Sequence, residues 1–119
     1  MEKETIKHIL NVLRYGTITW HVRTQCLNRN RVQKQIGVTL KGKPKLKYFY
    51  YCDKCKKEFK DSSSLEVDHI TEIGSFNGDF NTYIKRMYCP IDNLQSLCVS
   101  CHLVKTSNFN SSIKYTRKI

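Results

Sequence analysis

The sequence predicts an α+β fold, with a small cysteine-braced module behind a helical, basic leader. Three observations carry this expectation. Apolar residues near the start recur at helical spacing, short stretches of alternating polarity appear in the second half, and two C-x-x-C pairs bracket the 42 residues between Cys55 and Cys98. The 119 residues suit one compact domain with an appended arm, and the natural division falls between a leader over residues 1–46 and a module over residues 47–119.

Taken in order, Ile6, Ile9, Leu10 and Leu13 form the i, i+3, i+4, i+7 stripe of an amphipathic helix, expected to face the core, and Gly16 ends it. A second helix is expected over residues 19–29, with Trp20 and Leu27 one heptad apart and Arg23, Arg29 and Arg31 on or just after it. The run "NRNRVQKQIGVTLKGKPKLK" is polar and cationic, and Gly37, Gly42 and Pro44 argue against a long element, so it reads as a basic connector ordered on a partner. "KYFYYC" is aromatic and strand-like, and "LEVDHI" is a short strand with Leu65 and Val67 alternating. "GDFNTYIKRMYC" has helical spacing at Phe80, Ile84 and Met87, stopped by Pro90. "NLQSLC" is another strand, and "CVSCHLVKTSNF" opens a last helix.

Charge narrows the partner. The formal net charge is +11, and residues 1–50 alone hold eleven Lys/Arg against two acids. A polyanion, nucleic acid, is the natural partner of that excess; the blander reading is a basic surface that aids solubility. No stretch approaches the roughly 20 apolar residues of a membrane span. "MEKETIKHILNVLRYG" lacks the unbroken apolar run and small-residue cleavage site of a signal peptide. A cytoplasmic location is therefore expected, where six cysteines serve metals before disulfides.

The cysteines then choose the metal. Cys98-Val-Ser-Cys101-His102 taken alone fits either a c-type haem attachment or half of a zinc site. Cys52-Asp-Lys-Cys55 decides between them, because haem leaves that pair without a task. Two intervening residues let one tight turn aim both thiolates at one ion, and two such turns close a tetrahedral Zn(Cys)₄ site with bonds of about 2.3 Å. Cys52, Cys55, Cys98 and Cys101 are thus expected to hold a structural Zn²⁺, while Cys26 and Cys89 read as small buried hydrophobes.

Within and just beyond the loop that the zinc closes lie Asp68 and His69, Asn93, and His102. A carboxylate, imidazoles and an amide brought to one place suit a divalent cation with a general base. The order "CDKC", "VDHI", "DNLQSLCVSCHLVKT" closely resembles the HNH endonucleases, whose ββα-metal fold is often braced by a Cys₄ zinc. The N-terminal "LRYGTITWHVRTQCLNRNR" is similar, more loosely, to the leader of small stand-alone phage HNH proteins. The resemblance implies a metal-dependent DNA endonuclease that nicks one strand, in the host cytoplasm if phage-encoded. His69 would be the general base, and Asp68 and His102 the ligands of the catalytic ion, Mg²⁺ or Mn²⁺ with Ni²⁺ a further candidate. Asn93 would be the second catalytic residue, orienting His69 or its loop or approaching the metal; Asn81 is its rival for the middle letter of the motif. Arg23, Arg29, Arg31 and Lys105 are the expected DNA contacts. A monomer suits nicking, and a double-strand break needs a dimer or two visits. The competing function is a zinc-braced DNA-binding module without catalysis. One geometric demand goes with these roles: neighbours on a regular strand point to opposite faces, so Asp68 and His69 converge only where the strand ends, twists or bulges.

Overall fold

The computed structural model describes residues 1–117, with side chains through Asn108. Helix α1 (Lys3–Gly16) and helix α2 (His21–Arg29) are joined by a single 3₁₀ turn over Thr17–Thr19. The stripe on α1 is half-buried rather than core: Ile6, Ile9, Leu10 and Leu13 are each partly exposed, and the helix buries no residue fully. Its end is tied down by Tyr88, whose hydroxyl donates to the Leu13 carbonyl at 2.6 Å and whose ring meets Trp20 edge-on at 5.0 Å. Gly16 makes this possible, because a Cβ there would lie 2.4 Å from the Tyr88 hydroxyl oxygen.

The expected connector is instead a two-stranded ribbon. Strand β1 (Arg31–Val38) pairs antiparallel with β2 (Pro44–Tyr51), and β2 also pairs with the two-residue β3 (Glu58–Phe59). The residues that argued against a long element are absorbed by the hairpin. Gly37 lies at a register shift after Gln35, Gly42 takes a positive φ of 79° in the turn, and Pro44 opposes Val38 at the open end of β2, where no ladder donor is needed. The sequence boundary between 46 and 47 falls inside β2.

The remaining elements build the ββα unit. Strand β4 (Leu65–His69) pairs antiparallel with β5 (Leu94–Cys98), and helix α4 (Val99–Arg117) follows at once. Between β4 and β5 lies helix α3 (Phe80–Met87), started by Asp79, whose carboxylate accepts from the Asn81 backbone N–H at 3.0 Å. Tyr83 and Met87 are the buried residues of α3, and Ile84, expected inward, is exposed. Phe76 explains the choice, stacking near both Phe80 and Tyr83.

The core sits between α2 and the β4–β5 pair. Leu27, Cys52, Leu65, Leu97 and Cys98 form one cluster; Cys26, Cys89 and Leu94 form another; Val67 touches both. Ser96 is fully buried on the same sheet face and donates its hydroxyl to the Cys26 carbonyl at 3.3 Å. Arg29 adds a second tie, its guanidinium donating to the Leu94 carbonyl at 2.9 Å. Helix α2 therefore covers one face of the β4–β5 pair, and α4 covers the other.

Candidate active site and metal centre

The four cysteines come from two tight turns. After Cys52 the chain folds back so that the Lys56 N–H donates to the Cys52 carbonyl at 3.0 Å and the Cys52 N–H to the Lys57 carbonyl at 3.0 Å. Lys56 takes the left-handed conformation, φ 62°, that this turn requires. Asp53 stitches the turn to β5, its N–H on the Ser96 carbonyl at 2.8 Å and its carboxylate accepting from the Ser96 N–H at 2.7 Å. The second pair uses the β5–α4 junction, with Cys98 ending the strand and Cys101 in the first turn of the helix.

The sulfurs of Cys52, Cys55, Cys98 and Cys101 all lie within 4.8 Å of one another, and Cys55 Sγ is 3.8 Å from Cys98 Sγ. Tetrahedral thiolates with bonds near 2.3 Å stand about 3.8 Å apart, so the cage has zinc dimensions. Its electrostatics fit a dication as well. Burial pushes the Cys52 thiol up, but backbone N–H groups at Cys98, Cys55 and Lys54 outweigh it and bring Cys52 down to about 6. Cys101 is pushed up to about 12, first by its contact with the Cys98 sulfur, then by burial and the other two cysteines. Protein groups alone thus favour one thiolate and resist the next, and a dication removes that resistance.

The second cluster lies along the α4 face of β4. Period-two alternation places Glu66 and Asp68 on this face, and His102 and Lys105, three residues apart, reach it from α4. His102 Nδ1 is 2.9 Å from Glu66 Oε2, and His102 Nε2 is 3.7 Å from Asp68 Oδ1. The carboxylate of Glu66 only accepts, so Nδ1 carries the proton and Nε2 turns a lone pair toward Asp68. Two acceptors facing each other at 3.7 Å, too far for a hydrogen bond, leave room for an ion about 2.1 Å from each. Lys105 supplies the positive charge found there now: its ammonium bonds Asp68 Oδ2 and the His69 carbonyl and lies 3.0 Å from Glu72. Burial works against that ammonium, yet Asp68 and Glu72 outweigh it and raise its pKa.

His69 is on the other face. The β4–β5 register stays regular through Asp68↔Gln95 and His69↔Leu94, with no bulge to turn the two side chains together. The His69 ring reaches α3, where Nε2 lies 2.8 Å from the Met87 carbonyl. A carbonyl only accepts, so Nε2 holds the proton and Nδ1 is left as the basic nitrogen. A recess of about 60 Å³ beside the ring is lined by Thr17, Trp20, Arg23, Val67 and Leu94. The four expected residues therefore do not share one point: Asp68 and His102 meet between β4 and α4, and His69 lies on the opposite face at the strand end.

Asn93 holds the turn that follows His69. Its side-chain oxygen accepts from the Thr71 N–H at 2.9 Å, its amide donates to the Thr71 carbonyl at 3.3 Å, and its own carbonyl accepts from the Ile70 N–H at 2.8 Å. Asn81 is in the first turn of α3, exposed. Among the expected DNA contacts, Arg23 borders the His69 recess, Arg29 is engaged with Leu94, Arg31 stacks over the Tyr48 ring at 4.4 Å, and Lys105 is paired as described. Glu66 and Glu72 escaped the sequence reading. Glu66 was findable, since it stands two residues before Asp68 on a strand; nothing local marks Glu72.

No helix among the described residues is long and apolar enough to cross a membrane. A family model described as HNH endonuclease matches residues 52–108, from the first of the four clustered cysteines to just past Lys105. No curated protein and no solved structure matches the chain.

Proposed function

With residues 52–108 forming a module of the HNH endonuclease family, a nuclease type braced by its cysteine cluster, we propose that this chain is a metal-dependent DNA endonuclease that nicks duplex DNA. The observation that carries the reading is a pair of ring contacts, His69 Nε2 on the Met87 carbonyl and His102 Nδ1 on Glu66. His69 has Nδ1 free as a base because Nε2–H is spent on Met87, and His102 has Nε2 free as a ligand because Nδ1–H is spent on Glu66. A non-catalytic module has no need of both.

Opposite faces then become an advantage. In-line displacement at phosphorus puts the attacking water and the departing oxygen on opposite sides of the phosphate. A phosphate laid across the end of β4 meets His69 on one side and Asp68 with His102 on the other. His69 Nδ1 takes the proton of the attacking water, whose oxygen bonds to phosphorus as the bond to the 3′ oxygen breaks. Asp68 and His102 would hold a divalent ion there, which when bound would supply positive charge beside the phosphate. Mg²⁺ is abundant, while the mixed carboxylate–imidazole pair suits Mn²⁺ or Ni²⁺ better. Arg23, at the rim of the His69 recess, is placed to hold a phosphate oxygen. Asn93 acts as a positioning residue through the Ile70–Thr71 turn, and Lys105, now paired with Asp68, would be free to meet a phosphate if Asp68 held an ion.

The test is a supercoiled plasmid incubated with the zinc-loaded protein and Mg²⁺ or Mn²⁺. Conversion to open circles, abolished by EDTA, supports the proposal. Binding without conversion in any divalent metal leaves the non-catalytic reading in its place.

A further inference from the structure

The β1–β2 ribbon contributes nothing to the two metal sites, yet it is the most cationic element of the chain. It carries Arg31, Lys34, Lys41, Lys43, Lys45 and Lys47 between residues 31 and 51, with no acid. Pairing sets Lys34 directly opposite Lys47 on one face, and Lys45 follows on the same face opposite Gly37. Like charges in cross-strand register are destabilising, and only Lys34 is relieved, by Glu58 of β3. Isolated two-stranded ribbons are marginal in water, but this one is fixed at both ends. At its root the buried Asn30 donates to the Tyr51 carbonyl at 3.0 Å and accepts the Tyr51 N–H on its own carbonyl at 3.0 Å. At its tip the Thr39 N–H meets the Lys43 carbonyl at 2.7 Å and the Gly42 N–H the Thr39 carbonyl at 2.9 Å. The outer two-thirds is exposed on both faces, with Gln33, Gln35 and Tyr48 opposite the lysine face.

We propose that this ribbon is a duplex-DNA arm that lies in the major groove beside the cut site, its lysines on the flanking phosphates. Charge decides the occupant: a face with lysines in cross-strand register and Glu58 as its one acidic partner is complementary to a polyanion. Shape decides the groove, because the major groove, about 12 Å wide, admits a two-stranded ribbon. Eight residues per strand reach about 26 Å, three-quarters of a helical turn. The inference rests on DNA being the substrate, and adds where the duplex beyond the scissile phosphate is held.

The test keeps the full-length, zinc-loaded chain, since removing the arm would take the buried Asn30 anchor with it. Binding to a labelled duplex is followed over a salt series for wild type, for Lys43→Gln/Lys45→Gln/Lys47→Gln, and for the charge-matched control Lys3→Gln/Lys7→Gln/Lys60→Gln. At about 0.9 per phosphate contact, the ribbon triple should flatten the log–log slope by about 2.7 while the control leaves it near wild type. Zinc content and circular dichroism equal to wild type certify the fold. Methyl green, which occupies the major groove, should compete with binding, and netropsin, in the minor groove, should not. Equal flattening by both triples, an unchanged slope in the ribbon triple, or competition by netropsin alone overturns the arm. A wild type that neither binds nor nicks DNA rejects the nuclease reading and the arm with it, whereas a wild type that nicks while the ribbon triple keeps its full slope rejects the arm only.

Discussion

Two imidazoles on opposite faces of β4 each have one ring nitrogen engaged by an acceptor. His69 gives one ring nitrogen to the Met87 carbonyl, and His102 gives one to Glu66. General-base assistance is worth about 10²–10⁴-fold, so His69→Ala should lose cleavage in that range while zinc content and divalent-ion binding stay normal. His102→Ala and Asp68→Ala should instead weaken ion binding by calorimetry, with partial rescue of rate at raised Mn²⁺. Glu66→Gln keeps the shape but loses the charged acceptor that fixes the His102 tautomer. Outer partners of metal-bound histidine are worth about 10–100-fold in metal affinity, which the same titration reads, and an unchanged affinity would remove Glu66 from the site. The motif singles out Asp68, His69, Asn93 and His102 as candidates. Their division between two sheet faces was not, because the expected convergence required a break in β4 that the regular pairing with β5 does not make.

Each element owes its place to a short list of contacts, and the list explains what the sequence shows and hides. Both zinc turns were legible, since C-x-x-C spacing is a local property. The ribbon was not, because Gly37, Gly42 and Pro44 mark breaks in a chain and equally the bulge, turn and strand end of a hairpin; only the partner strand tells which. Cys52→Ser removes a fully buried member of the four-cysteine metal cage, whereas Cys26→Ser puts a hydroxyl beside Ser96 in a small cluster. Cys52→Ser should therefore abolish zinc binding and cooperative melting, and Cys26→Ser should keep the metal with a modest loss of stability; equal damage would mean the cysteines have been misassigned. The zinc turn also predicts a pH response. Cys52 is lowered to about 6, so its contribution is complete above the ordinary thiol value of 9.0, shrinks on acidification, and is lost as pH falls through about 6. Zinc uptake by the metal-free chain, in competition with a colorimetric chelator, should weaken as pH falls below about 6, where protons compete for Cys52; affinity independent of pH would contradict it. At the other end of the chain, Gly16→Ala should break the Tyr88 to Leu13 hydrogen bond and increase amide exchange in α1 while leaving zinc content untouched.

At the scale of the molecule, a chain of 119 residues gathers two modest clusters of buried side chains around a metal cage, and structural zinc is worth on the order of 10 kcal/mol to folding. Four thiolates with one Zn²⁺ subtract two charges from +11, so the positive excess survives metal loading and stays concentrated in the first fifty residues. The four-cysteine cage joins the Cys52 turn to the β5–α4 junction, β4 pairs with β5, and the ends of β4 and α4 present the candidate catalytic groups. The central claim is that this arrangement hydrolyses a phosphodiester through His69. It is tested most directly by nicking of supercoiled plasmid under saturating Mg²⁺ or Mn²⁺, wild type against His69→Ala, both with full zinc content. The account predicts open circles from wild type and a rate at least about 10²-fold lower from the variant. Equal rates for the two proteins would contradict it.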